Sequence, residues 1–143
     1  MIISAGILFI HEDEALLVHS TNSGWMKTWM PPKGEKENNE SIEDCAIRET
    51  EEEIGIRVSK ALLNKSFEVD YDDKKGRVYK KVIVFPVRLI SKDFNSNPGV
   101  KKIADLQKEE VDQIQWMSAD QIKIKALPRY TESIIKELRK WNQ

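Results

Sequence analysis

Read from its residues alone, the chain predicts an α/β fold with a mixed β-sheet covered by helices on both faces. Three observations carry this. Two aliphatic, β-branched runs open the chain, a carboxylate-rich segment of helical period interrupts the strands after residue 40, and a second group of strands is followed by two closing helix patterns. With 143 residues, 40% of them hydrophobic, there is material for one well-buried domain over 1–143 and too little for two.

Residues 2–10 and 15–20 are the opening strands, and the polar "HEDE" between them predicts a hairpin. The segment "TNSGWMKTWMPPKGEKENNE" is excluded from helix by Gly24, Pro31, Pro32 and Gly34, and each residue before a proline is pushed to extended geometry. It reads as a long loop feeding the acidic helix. That helix starts near Asn39 to Ser41, where Ser41 followed by Asp44 resembles a capping arrangement, and Gly55 after Ile54 supplies its stop. Residues 57–71 and 77–89 read as two further strands joined at "DDKKG", with "KVIVFPV" the most strand-like run of the chain. The polar "SKDFNSNPGVKK" reads as a surface loop, and a short strand ends at "QIQWM". Ser118 and Gln121 form a capping box, and Tyr130, Ile134, Leu138 and Trp141 recur at helical spacing in a packed last helix.

Twenty-three basic residues against 24 acidic ones leave a net charge of −1, so the overall balance demands neither a nucleic-acid nor a membrane partner. No run approaches transmembrane length. The start "MIISAGILFI" lacks a basic leader and runs straight into "HEDE", so it is expected to be a strand and not a signal peptide. The single cysteine, Cys45, has no internal disulfide partner, which suits a buried structural thiol in a reducing cytoplasm.

The segment "IRETEEEIGI" carries the chemistry. At roughly 100° per residue, Glu49 and Glu53 lie on the line of Ile42 and Ala46, and Glu52 a quarter-turn aside near Cys45. These acids extend the apolar stripe instead of opposing it, whereas Glu51 faces elsewhere. Like charges at i, i+3 and i, i+4 destabilise a helix by roughly 0.2–0.5 kcal/mol per pair. A hard divalent cation, Mg²⁺ or Mn²⁺, offsets that repulsion and keeps the oxygens charged, so a metal site is expected here.

From Gly34 the chain reads glycine, five residues, Glu40, seven residues, Arg48, Glu49, Thr50, any residue, Glu52, Glu53, any residue, Gly55, Ile56. This resembles the Nudix box, with Thr50 as the single departure, where an aliphatic residue is usual. The box covers about a sixth of the chain. The flanks resemble the Nudix α/β/α sandwich in kind, and "WMPPKG" leading into "RETEEEIGI" is most similar to the asymmetric diadenosine tetraphosphate hydrolases. The resemblance implies a pyrophosphohydrolase of the nucleotide-linked class. Glu49, Glu52 and Glu53 match the family's metal-binding glutamates, Arg48 the arginine that orients them, and Gly34 the glycine whose carbonyl joins the metal shell. Glu40 matches an acid that holds loop and helix together. Glu110, six residues before Trp116, matches an acid that serves in some members as the base or an extra ligand, so Glu52 and Glu110 stand as rival bases.

A polyphosphate repels nucleophiles, so catalysis needs its charge neutralised and a water aimed in line with the leaving phosphate. Lys33 offers a compact charge against phosphate, and strand alternation lets at most one of Lys80 and Lys81 point at a ligand. Trp25, Trp29, Tyr79 and Tyr130 offer surfaces for a base, with Tyr130 also at core spacing in the last helix. The strand position where the tetraphosphate hydrolases place a binding tyrosine is Val84 here. His11 and His19 make a poor zinc set without cysteines beside them; His11 is expected in an exposed turn, and His19 at a strand end near the long loop. The expected substrates are a dinucleoside polyphosphate first, a nucleoside triphosphate second and a capped RNA end third, with no double-stranded nucleic acid as partner and the protein a monomer or homodimer. A binding module that keeps the fold without the chemistry is the reading from another class.

Overall fold

The computed structural model describes residues 1–24, 26–106 and 109–141. Eight strands run β1 (Ile2–His11), β2 (Glu14–Ser20), β3 (Lys33–Glu35), β4 (Ile56–Val58), β5 (Phe67–Asp72), β6 (Val78–Arg88), β7 (Val100–Lys102) and β8 (Val111–Met117) among the described residues. The helices are α1 (Ile42–Ile54), α2 (Ala119–Lys125) and α3 (Pro128–Trp141). Six of the strands form one sheet in the order β5-β6-β1-β2-β8, with β3 added to β1 beyond the hairpin, while β4 and β7 pair separately. The sheet is mixed as expected: β1 and β6 run parallel from Ile2↔Lys80 to Ile10↔Arg88, and the remaining pairs are antiparallel.

Strand alternation sorts the core into two layers. Ala5, Ile7 and Phe9 of β1 with Ile83, Phe85 and Val87 of β6 face α1, where Cys45 and Ala46 are small enough for the helix to sit close. Leu8 and Ile10 with Val82 and Val84 face the other way, onto Ile122 of α2 and Tyr130, Ile134 and Leu138 of α3. Helices on both faces give the α/β/α sandwich. No described helix is long and apolar enough to cross a membrane.

The ends of α1 are set locally. The Asp44 N–H donates to the Ser41 hydroxyl at 3.0 Å, and Gly55, at φ 70°, donates its N–H to the Glu51 carbonyl. A side chain at Gly55 would meet the Ala104 carbonyl oxygen at 2.1 Å, so the left-handed turn and the close approach both call for glycine.

Three expectations are corrected. The strand read over 57–71 is two strands in different sheets, β4 and β5, with a 3₁₀ turn at Lys60–Leu62 between them; β-branched content marks extended chain without naming its partner. The polar stretch read as a loop contains β7 and a 3₁₀ turn at Phe94–Ser96. The buried Asn97 amide accepts from Ile90 and Ser91 and donates to three carbonyls there, while Phe94 packs edge-on to Phe9 at 5.3 Å. His11 is the last residue of β1 and largely shielded, its Nδ1 at 3.2 Å from the Leu89 carbonyl.

Candidate active site

The short strand β3 lays the proline-rich loop against the acidic face of α1. Its residues pair with Ser4, Ala5 and Gly6 of β1, and each contacts α1 on the other side. The Lys33 N–H donates to Glu53 at 3.1 Å, the Glu35 carbonyl accepts from Arg48 at 3.0 Å, and Gly34 lies against Glu49. A Cβ at Gly34 would stand 2.0 Å from a Glu49 carboxylate oxygen, so glycine is what allows strand and carboxylate to share this space. The Gly34 carbonyl accepts the Cys45 thiol at 3.5 Å. Burial pushes that thiol up to about 11, so it stays protonated.

Arg48 is the hub of the face. Its Nε and Nη2 grip both oxygens of Glu40 at 2.7 and 3.0 Å, and its Nη1 donates to Glu49 at 2.8 Å and Glu52 at 3.1 Å. The fork geometry of guanidinium permits this; a point-like ammonium does not. The Arg48 bond holds Glu40 down at about 2, against the opposing effect of burial. Glu49 is displaced upward by burial, with Arg48 pulling the other way. Glu49 is 14% exposed and Glu52 56%, while Glu51 points away to Arg57 at 2.7 Å.

At the other end of the face Glu53 is pushed up to about 7 by burial, which the backbone N–H and ammonium of Lys33 only partly oppose. Lys33 is brought down to about 8 by burial and by the adjacent ammonium of Lys80. Glu110, at the turn leading into β8, lies near enough for its charge to raise both Glu49 and Glu53. The fold therefore gathers Glu49, Glu52, Glu53, Arg48, Gly34 and Lys33 on one face, with Glu110 close enough for its charge to be felt there.

A tyrosine cluster adjoins it. The Lys80 ammonium lies 5.0 Å from the Tyr71 ring centroid and the Arg129 guanidinium 4.4 Å. Tyr79, about half exposed, meets Tyr71 edge-on at 6.5 Å. Lys81, on the opposite strand face, goes to Glu68 at 3.3 Å. Tyr71 is a residue that the sequence reading misses. Its signal is the alternation Phe67, Val69, Tyr71, which puts it on the inner face at the open end of β5.

Two expected binding residues are corrected. Trp29 is 2% exposed: its N–H donates to the Lys125 carbonyl and its carbonyl accepts from Leu127, which fixes its ring in the core under α2 and α3. Tyr130 is 0% exposed on the buried stripe of α3, its hydroxyl 2.9 Å from that of Tyr71. Neither offers a face to a ligand. Val84 is also fully buried. Trp25 lies outside the described residues.

Among the described residues no three His, Cys, Asp or Glu side chains converge closely enough to hold a cation as they stand. The side chains explain why: Arg48 draws one oxygen of Glu49 and one of Glu52, and Glu53 turns to the Lys33 N–H. Part of the repulsion assigned to a metal is thus relieved by Arg48. The donor set is nonetheless one of hard oxygens along a single helical face, beside a backbone stripped of its Cβ, and it fits Mg²⁺ or Mn²⁺ and not a softer ion.

The NUDIX domain family profile matches residues 2–138. The mRNA-decapping enzyme subunit 2 of Saccharomyces cerevisiae is 31% identical over 107 residues, 75% of this chain and 10% of that protein, so the chain spans about a tenth of the length of the curated relatives it matches. An Ap4A hydrolase of C. elegans superposes with a TM-score of 0.61 at 25% identity, covering 99% of this chain and 96% of that one. The bifunctional NMN adenylyltransferase/ADP ribose pyrophosphatase of Francisella tularensis, solved with AMP and a Mn ion, superposes at 0.66 with 22% identity, over 99% of this chain and 42% of that one, a likeness of fold alone. Because the family match runs from the first strand into the last helix, the chain belongs to the Nudix family.

Proposed function

We propose that the chain hydrolyses a dinucleoside polyphosphate such as diadenosine tetraphosphate, with Mg²⁺ or Mn²⁺, within a single catalytic domain over residues 1–143. The observation that carries the reading is the contiguity of three surfaces: the acids of α1, the paired ammonium groups of Lys33 and Lys80, and the Tyr71–Tyr79 cluster clamped by Arg129. A polyphosphate ending in a nucleoside needs all three, in that order.

Glu49, Glu52, Glu53 and the Gly34 carbonyl are the residues to hold the cation, which when bound neutralises phosphate charge and lowers the pKa of water. Arg48 aims Glu49 and Glu52 by occupying one oxygen of each. Lys33 and Lys80 bind the phosphate chain, whose negative charge relieves the crowding of two ammonium groups. Tyr79 and the edge of Tyr71 take the base. Water forms the new P–O bond, the anhydride P–O bond breaks with its electron pair leaving on the nucleotide oxygen, and Glu110 takes the proton of the water. Glu110 is preferred to Glu52 as base because its carboxylate makes no ion pair among the described residues, whereas Glu52 is engaged by Arg48. The protein acts in the cytoplasm as a monomer or homodimer in this reading.

A capped RNA end is the second reading, favoured by the yeast decapping relative. Incubation with diadenosine tetraphosphate, nucleoside triphosphates and capped RNA in Mg²⁺ separates them. Cleavage of the tetraphosphate is expected; cleavage of triphosphates or cap alone overturns the first reading, and indifference to Mg²⁺ and Mn²⁺ points to a binding module.

A further inference from the structure

His19, at the end of β2, is 1% exposed and held at both ring nitrogens. Nδ1 lies 2.7 Å from the Asp112 carboxylate of β8, and Nε2 lies 2.9 Å from the Gly24 carbonyl. A carboxylate and a carbonyl are both acceptors, so each ring nitrogen has to bring a proton. Neutral imidazole has one. The geometry therefore calls for an imidazolium inside the fold, ion-paired to Asp112 and packed against the Trp29 ring at 5.3 Å. Burial opposes the charge, and the Gly24 carbonyl and Asp112 outweigh it, holding the ring above its ordinary value.

The strand pairing shows what this cation holds. His19 pairs with Gln113 and Ser20 with Val111, so Asp112 is an extra residue, a β-bulge at the entrance to β8. The bulge lets Val111 turn into the core on the α1 side while Gln113 stays opposite His19 on the other face. Immediately before it, the Glu110 carbonyl accepts from the Thr21 N–H at 2.9 Å. The turn that carries Glu110 is thus tied to the end of β2 through one backbone bond and the bulged Asp112.

We propose that His19, as a buried imidazolium bonded to Asp112 and Gly24, is a positioning residue that pins the bulge at the start of β8 and thereby aims Glu110 at the acidic face of α1. This rests on Glu110 being the base. The influence of His19 and Asp112 on the reaction runs through the backbone of residues 110–112, where the Glu110 carbonyl is bonded to Thr21.

The test begins with ¹⁵N NMR of the ring in the intact protein at pH 7.5. Both nitrogens are expected to carry protons, and a single protonated nitrogen overturns the proposal. His19→Gln and Asp112→Asn are each expected to lower kcat for diadenosine tetraphosphate about tenfold with KM within about twofold, and the double variant to fall no further than either single one. In Asp112→Asn the ring is expected to become neutral at that pH. Wild-type kcat in either single variant, or additive losses in the double, overturns the positioning role. Glu110→Gln is measured alongside: if that variant keeps full turnover while the imidazolium is present, the assignment of the base has failed and not the clamp.

Discussion

The two ends of the acidic site built on α1 and the loop before it carry the same residue type and opposite electrostatics. Around Arg48, Glu40 is saturated with hydrogen bonds and held at about 2. Around Lys33, Glu53 is pushed up to about 7, and Lys33 is itself brought down to about 8 by burial and Lys80. The first end is a finished structural lock. The second is a charge arrangement that protein groups alone leave unbalanced, with two ammonium groups crowded on one side and a half-buried carboxylate on the other. A cation and a phosphate chain supply the charges that each half lacks. The difference separates what builds the site from what uses it.

Substitutions at each end sharpen that contrast. Glu53→Gln is expected to cut turnover by about a thousandfold. The same change should steady the metal-free fold. Because the folded value of Glu53, about 7, stands above the ordinary 4.5, its contribution to stability is complete below 4.5 and lost as pH rises through 7. Thermal melts of the variant should therefore match wild type at pH 4.5 and lie above it at pH 8. Arg48→Lys is expected to do the reverse at the lock, removing about 2 kcal/mol of stability in urea titrations along with most activity, since one ammonium cannot grip Glu40, Glu49 and Glu52 together.

Gly34→Ala is a finer probe. Its Cβ displaces the Glu49 carboxylate, and Mn²⁺ affinity measured by titration calorimetry is expected to weaken about tenfold with the fold retained. The smallest effect is at Glu40. Its folded value of about 2 lies below the ordinary 4.5, so its contribution is present above 4.5 and lost as pH falls toward 2. Glu40→Gln should lose stability at neutral pH and show a flatter decline over that acid window. Equal acid sensitivity in the two proteins would remove the distinction between the ends.

Much of this was legible in the residues. The acidic stripe on the line of Ile42 and Ala46, the Ser41 cap, the Gly55 stop and the Ser118–Gln121 capping box all stand as local rules place them, because each depends on neighbours three or four positions away. The unread parts depend on partners far along the chain. Trp29 is an aromatic residue beside a proline-rich loop, and only its backbone bonds to residues 125 and 127 send it into the core. Strand β7 hides in a polar stretch because its partner, β4, lies more than forty residues earlier. The Asp112 bulge breaks the alternation that pattern reading relies on, so the pairing of His19 across 93 positions leaves no periodic trace.

The pairing of β3 with β1 has a consequence for how the site is lost on unfolding. The strip of chain bearing Lys33, Gly34 and Glu35 is stitched to a central strand whose other edge is occupied by β6, so it has no cheap way to fray. Local opening of the hairpin tip or the 73–77 turn leaves that stitch untouched. The acidic face should keep its shape under thermal agitation until the whole sheet melts, and amide protons of residues 4–6 and 33–35 should exchange with deuterium only on that global timescale.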